Sequence, residues 1–109
     1  MTFSERVVKI ALSIPKGKVT TYGRIARAAG GGNMASQSIT GILSKAYDNG
    51  IKNIPFHRIV YADGRVWMDD VYRKKRTELY KKEGIILDKN DRIENFRERL
   101  LELNTHYEF

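Results

Sequence analysis

Apolar positions recur at helical spacing from the start of the chain. Phe3, Val7, Ile10, Ala11 and Ile14 fall on one face, with Thr2 and Glu5 ahead of them at the spacing of a capping box; the pattern predicts a first helix with one buried side. Pro15 and Gly17 end it. Val19 and Thr20 read as a short extended step, after which Thr21 caps a second helix that turns Ile25, Ala26 and Ala29 inward. Residues 30–33, three glycines and Asn33, form a turn. No Lys-Ser/Thr pair follows as a phosphate-binding loop requires, so this is a plain connection.

From residue 35 to about residue 47 the apolar positions Ala35, Ile39, Ile42, Leu43 and Ala46 make one face of a third helix. Its other face carries Gln37, Ser38, Thr40, Gly41 and Ser44. These are small or uncharged, so the helix backbone can approach another surface closely. Two short helices about a glycine turn predict a helix-turn-helix. Ile59, Val60 and Tyr61, then Ala62-Asp63-Gly64, then Arg65, Val66 and Trp67 predict a short hairpin behind it. The fold class is therefore mainly α with a small β-hairpin, a winged-helix-like helix-turn-helix domain. Asp69 or Asp70 begins a further helix with Tyr72, Leu79 and Tyr80 inward and Lys74, Lys75, Lys81 and Lys82 solvated, closed by Gly84. Asp91 and Glu94 repeat the capping-box spacing, and Ile93, Phe96, Leu100 and Leu103 stripe a last helix. No repeat or linker interrupts the chain, and 109 residues suit a single domain spanning residues 1–109.

Charge narrows the function. Twenty Lys and Arg against 13 Asp and Glu give a net charge of +7, which draws polyanions and makes nucleic acid the first partner to consider. The chain has no cysteine, which excludes disulfides, thiolate metal sites and a thiol nucleophile. There is no signal-peptide pattern and no apolar stretch of membrane-spanning length, so a soluble cytoplasmic protein (nuclear in a eukaryote) without membrane contact is expected. Nothing in the sequence asks for a cofactor or metal.

Two segments carry a resemblance. IPKGKVTTYGRIARAAG (residues 14–30) and NIPFHRIVYADGR (residues 53–65) resemble the DNA-binding domain of the O6-alkylguanine-DNA alkyltransferases, and the likeness continues to the Glu83-Gly84 step, covering about residues 3 to 85. The repairing members have the motif PCHRV, whose cysteine takes the alkyl group from guanine. Here that position is Phe56. Displacing an alkyl group from oxygen needs a soft anionic nucleophile, and a phenyl ring offers none. The chain thus looks like the alkyltransferase-like proteins, which bind the lesion without removing it.

That resemblance implies the roles of several residues. Phe56, His57 and Glu83 are remnants of the catalytic positions, with Glu83 hydrogen-bonded to His57 or Arg58. Thr21, Tyr22, Gln37, Ser38, Thr40, Gly41, Ser44 and Arg58 would contact DNA, the third helix entering the minor groove. Tyr22 would crowd the phosphate beside a flipped nucleotide. Gln37 stands where the family inserts an arginine into the gap. Tyr22, Phe56 and Arg65 would line the lesion pocket, Phe56 as its floor and Arg65 with its guanidinium by the base, while Tyr61 and Trp67 pack in the core or wing. The implied partners are double-stranded DNA with O6-alkylguanine and nucleotide excision repair proteins, bound by a monomer. The glycine-rich loop that covers the site in repair enzymes is replaced by Val66-Trp67-Met68-Asp69-Asp70.

Two other readings compete. One is an ordinary winged-helix protein that reads sequence through Gln37, Ser38 and Thr40, indifferent to alkylation. The other is an enzyme of altered chemistry that uses His57 with Glu83, or a metal held by Asp63, Asp69 and Asp70.

Overall fold

The computed structural model describes residues 1–32 and 35–103; Asn33 of the predicted glycine turn lies outside the described residues. Helix α1 (Phe3–Leu12) opens with a complete capping box, in which the Glu5 amide donates to the Thr2 hydroxyl and the Thr2 amide donates to the Glu5 carboxylate. Two backbone donors at the helix start are satisfied reciprocally. Strand β1 (Thr20–Thr21) leads directly into α2 (Tyr22–Ala28), whose Arg24 amide is capped by the Thr21 hydroxyl at 3.1 Å. Val7, Ile10, Ala11 and Ile14 pack with Ile25, Ala26 and Ala29 of the second helical segment and with Ile39 and Leu43 of the third. This is one hydrophobic core, and it fixes the helix-turn-helix.

Close approach at the turn demands glycine. A Cβ on Gly31 would lie 2.5 Å from the Ala35 Cβ and 2.9 Å from the Phe3 ring, so the chain passes between α1 and the third segment only without a side chain. That third segment is not one helix from residue 35. Ala35–Ser38 is a 3-10 turn, and α3 proper runs Ile39–Asp48. Ser38 Oγ donates to the Ala35 carbonyl at 2.7 Å. Such local back-bonding competes with regular α-helix, and it tightens the turn that carries Gln37.

The hairpin is the first departure from the sequence pattern. The Ala62-Asp63-Gly64 turn does form: the Gly64 amide donates to the Tyr61 carbonyl and the Tyr61 amide to the Arg65 carbonyl, both at 2.9 Å. The strand entering it, β2 (Ile59–Val60), pairs instead in parallel with β1, Thr20 opposite Ile59 and Thr21 opposite Val60. Arg65 on the far side bridges to Arg92, and the Val66 amide donates to the Asp91 carbonyl. Alternation along the strand sends Ile59 into the helical core and Val60 into a second one, built with Val19, Val66, Tyr80, Ile85 and Ile93.

The last two predicted helices are also altered. Asp69 makes the start that was expected, accepting from the Tyr72 amide at 2.8 Å, but regular helix begins only at α4 (Arg73–Lys82). Tyr72 is half exposed, not inward, and its ring leans on Trp67. Gly84, at φ +73°, closes α4. The final helix shrinks to one turn, α5 (Phe96–Arg99). Asp91 cannot cap it: the chain there is left-handed (φ +59°), held by Asp88, whose carboxylate accepts from the Asn90 and Arg92 amides. Beyond α5 the chain is extended, and Leu101 donates to Val19 at 2.7 Å while Val19 donates to Arg99 at 2.9 Å. Leu100 thus lies parallel to Val19, beside the two-stranded sheet, and no helix among the described residues is long and apolar enough to cross a membrane.

Candidate nucleic-acid interface and lesion cleft

Between the helix-turn-helix and the turn after β2 lies an open cleft of about 690 Å³. Gln37, Thr40 and Ser44 of the third segment line it on one side, and Tyr22 at the start of α2 and Phe56 contribute aromatic surface. Ile54 and Pro55 are buried just ahead of Phe56, anchoring a 3-10 turn over Phe56–Arg58. Three residues per turn point consecutive side chains in three directions. Phe56 therefore faces the helical core and the cleft, its ring edge-on to Tyr47 at 6.0 Å, while His57 and Arg58 turn toward α4.

Tyr22 is half-buried, tilted against Tyr61 at a ring separation of 5.7 Å, with its hydroxyl close to Thr40. Burial, with a smaller effect of Tyr61, pushes its phenol above the ordinary value, so it stays neutral. Gln37, Ser38, Thr40, Gly41 and Ser44 are all exposed on one side of the third segment. Nothing lies within 4 Å of a Cβ built on Gly41. Thr21, by contrast, is 7% exposed and occupied as the α2 cap.

Behind Phe56, and not in the cleft wall, sits a polar cluster. Glu83, at the C-terminal end of α4, accepts from His57 Nε2, from Arg58 Nε at 2.9 Å and Nη2 at 3.2 Å, and from the Gly17 amide at 2.9 Å. Arg58 Nη1 donates to the Ile14 carbonyl at 2.8 Å. Its guanidinium is thus spent inside the fold, which removes Arg58 from the DNA-facing set that the sequence suggested. Tyr80 closes the cluster, donating to the His57 carbonyl at 2.5 Å. Burial drives its phenol up to about 12.

Burial also works against the Glu83 carboxylate, but the bonds from Arg58, Gly17 and His57 outweigh it and hold the group down at about 2. His57 is pushed below its ordinary 6.5, by burial first, even though Glu83 favours its charged form. At neutral pH the imidazole is neutral and donates its Nε2 proton to Glu83, and the charge pair is Arg58 with Glu83. Both shifts have the same consequence. A depressed carboxylate contributes stability that is full above its ordinary 4.5 and is lost as pH falls toward about 2. A histidine kept neutral by the fold costs stability once pH drops below 6.5, where the unfolded chain takes up the proton. The midpoint of urea unfolding should therefore decline below neutrality and fall more steeply below about pH 4.5; a midpoint that stays level from pH 7 to pH 3 contradicts this balance of charges.

The structure relocates other residues. Arg65 is exposed and lies over the outer face of Tyr61 at 5.1 Å, outside the cleft wall. The arginine that lines the cleft is Arg76 of α4. Tyr61 and Trp67, expected as packing residues, line the cleft as well, Trp67 with 37% of its surface exposed. Arg76 was hidden in a run of basic residues, Arg73, Lys74, Lys75 and Arg76; its partial burial among exposed neighbours is what sets it apart. Of the three aspartates offered as metal ligands, two are engaged separately, Asp63 with Arg92 and Asp69 at the start of α4. Among the described residues no group of three or more His, Cys, Asp or Glu could hold a metal.

Known proteins share this fold. The chain is 30% identical over 98 residues to proteins from Escherichia coli (strain K12) and Shigella flexneri, each described as a DNA base-flipping protein, with 90% of this chain and 74% of theirs aligned. Its structure is similar to S. pombe Atl1 in complex with damaged DNA containing O6-carboxymethylguanine, and to S. pombe ATL in complex with DNA. Each superposes with a TM-score of 0.69 at 25% identity over 91% of this chain and 94% of theirs. With residues 2–85 matching throughout, the chain belongs to the family of the 6-O-methylguanine DNA methyltransferase DNA-binding domain.

Proposed function

We propose that this chain binds duplex DNA carrying O6-alkylguanine, turns the damaged nucleotide out into the cleft, and leaves the alkyl group in place. The observation that carries this reading is Phe56. It lines the cleft at the position where the transfer chemistry needs a thiolate, and the chain has no cysteine anywhere. The His57–Glu83 pair persists behind it without a nucleophile to activate.

The face of Gln37, Ser38, Thr40, Gly41 and Ser44 enters the minor groove, where short side chains let the backbone come near. Gln37, at the tip of the 3-10 turn, fills part of the space the base leaves and hydrogen-bonds to the orphaned cytosine. Tyr22 stands by the phosphate of the flipped nucleotide. Unstacking costs a few kcal/mol, which stacking of the base on Phe56 and the other cleft aromatics offsets at about 1–3 kcal/mol per base. Acting as a single domain and a monomer, the protein marks the lesion in place, and nucleotide excision repair acts on it.

Affinity for one duplex with O6-methylguanine and for its unmodified twin, at matched moderate salt, tests the reading. A preference of about tenfold, or about 1.4 kcal/mol, is expected, with no methyl gained by the protein in its mass spectrum. Equal affinity for the two duplexes would sink lesion recognition and leave a general winged-helix DNA binder.

A further inference from the structure

Among the described residues that line the cleft, one carries a charge: Arg76. It is held there from several sides. Its Nη1 donates to the Trp67 carbonyl at 3.1 Å, its guanidinium carbon lies 5.0 Å above the Trp67 ring, and the Tyr80 hydroxyl is within hydrogen-bonding reach one helical turn on. Trp67 is itself braced by Tyr72, ring to ring at 6.0 Å. A guanidinium fixed over an indole and flanked by protein acceptors loses less freedom on binding than a solvated arginine does. No carboxylate shares the wall with it. The rest of the lining is uncharged: aromatic, aliphatic or hydroxylated, with one carboxamide, that of Gln37. A neutral alkyl group can use these surfaces but offers the guanidinium nothing, whereas a carboxylate on the substituent gives it a charge-assisted, planar partner.

We propose that the cleft sorts O6-substituents by charge, that Arg76 is the specificity-determining residue, and that carboxylate-bearing adducts are the preferred class. This rests on the lesion-binding reading above and adds to it the chemical class of the lesion. Trp67 acts as a positioning residue, the platform that keeps the guanidinium in the cleft lining.

The test compares three duplexes of one sequence, carrying guanine, O6-carboxymethylguanine or O6-carbamoylmethylguanine. The two adducts match in size and differ in charge. The wild type should bind the carboxymethyl duplex about tenfold more tightly than the carbamoylmethyl duplex, and Arg76→Gln should bring that ratio to about one. Trp67 is the sole tryptophan, so its emission reports on the wild-type pair directly, whatever Arg76→Gln does to folding. At saturation the two adduct duplexes should give different emission. Equal affinity of the wild type for both adducts, an unchanged ratio in folded Arg76→Gln, or identical Trp67 emission overturns the assignment. If both adducts still outcompete guanine, lesion binding survives that failure; if neither does, the lesion reading itself has failed.

Discussion

Glu83→Ala is expected to lower the free energy of unfolding at pH 7 by about 3–5 kcal/mol, the range for removing one partner of a buried ion pair. The size follows from what the carboxylate holds. Its side chain is 6% exposed and that of Arg58 14%, and it accepts at once from Arg58, His57 and the Gly17 amide. Deleting it strands a buried cation together with two N–H donors. The residual bond from Arg58 to the Ile14 carbonyl cannot neutralise that charge. Domains of this size are stable by roughly 5–15 kcal/mol, so the variant loses a large share of its stability. Glu83→Gln keeps an acceptor of the same shape and should lose less. Both variants should flatten the decline in stability below about pH 4.5, since the titrating group is gone. Urea unfolding at pH 7 and pH 4 measures all of this, and a loss in Glu83→Ala below about 1 kcal/mol would mean that the cluster is no more than a solvated surface pair. In this chain the glutamate braces α4 against the Phe56 turn and the loop at Gly17, with no nucleophile to serve.

Gly41→Ala should move binding and stability in opposite directions. Gly41 sits in α3 with ordinary helical backbone and open space around the position of a Cβ. Within the folded protein, therefore, alanine meets no obstacle and should add up to about 1 kcal/mol of stability through helix propensity. Duplex affinity should fall by about tenfold or more, because the methyl group stands between the helix backbone and the floor of the minor groove in the proposed complex. The loss should be similar for damaged and undamaged duplexes, since docking precedes any contact in the cleft. Thermal unfolding and duplex titration of the same preparation check it. Affinity equal to wild type would show that this face of α3 does not come within contact distance of the DNA.

Local sequence determined much of this protein. Thr2 with Glu5 and Thr21 ahead of α2 supply caps from side chains within one turn, and Gly84 ends α4 through its own backbone freedom. Such features involve neighbours in the chain and are legible there. The spacing of Val7, Ile10 and Ala11 against Ile25, Ala26, Ile39 and Leu43 likewise marked the helical core. Phe56 and the absence of cysteine needed no coordinates, because whether a thiol nucleophile exists is a matter of composition.

Only the tertiary structure decided the rest. The strand at Ile59 found its partner in Thr20, far back in the chain, and not across its own Asp-Gly turn. Parallel pairing depends on what the intervening helices bring alongside, which no local pattern records. Asp91 lost its cap role to the turn held by Asp88, and the chain after Arg99 became an extended partner of Val19. Arg58 and Arg76 look alike as basic residues in the sequence. One is drawn inward by Glu83 and the other held at the cleft by Trp67. The sign of a charge can be read from the chain, but what it faces is set by side chains that meet only once the fold is complete.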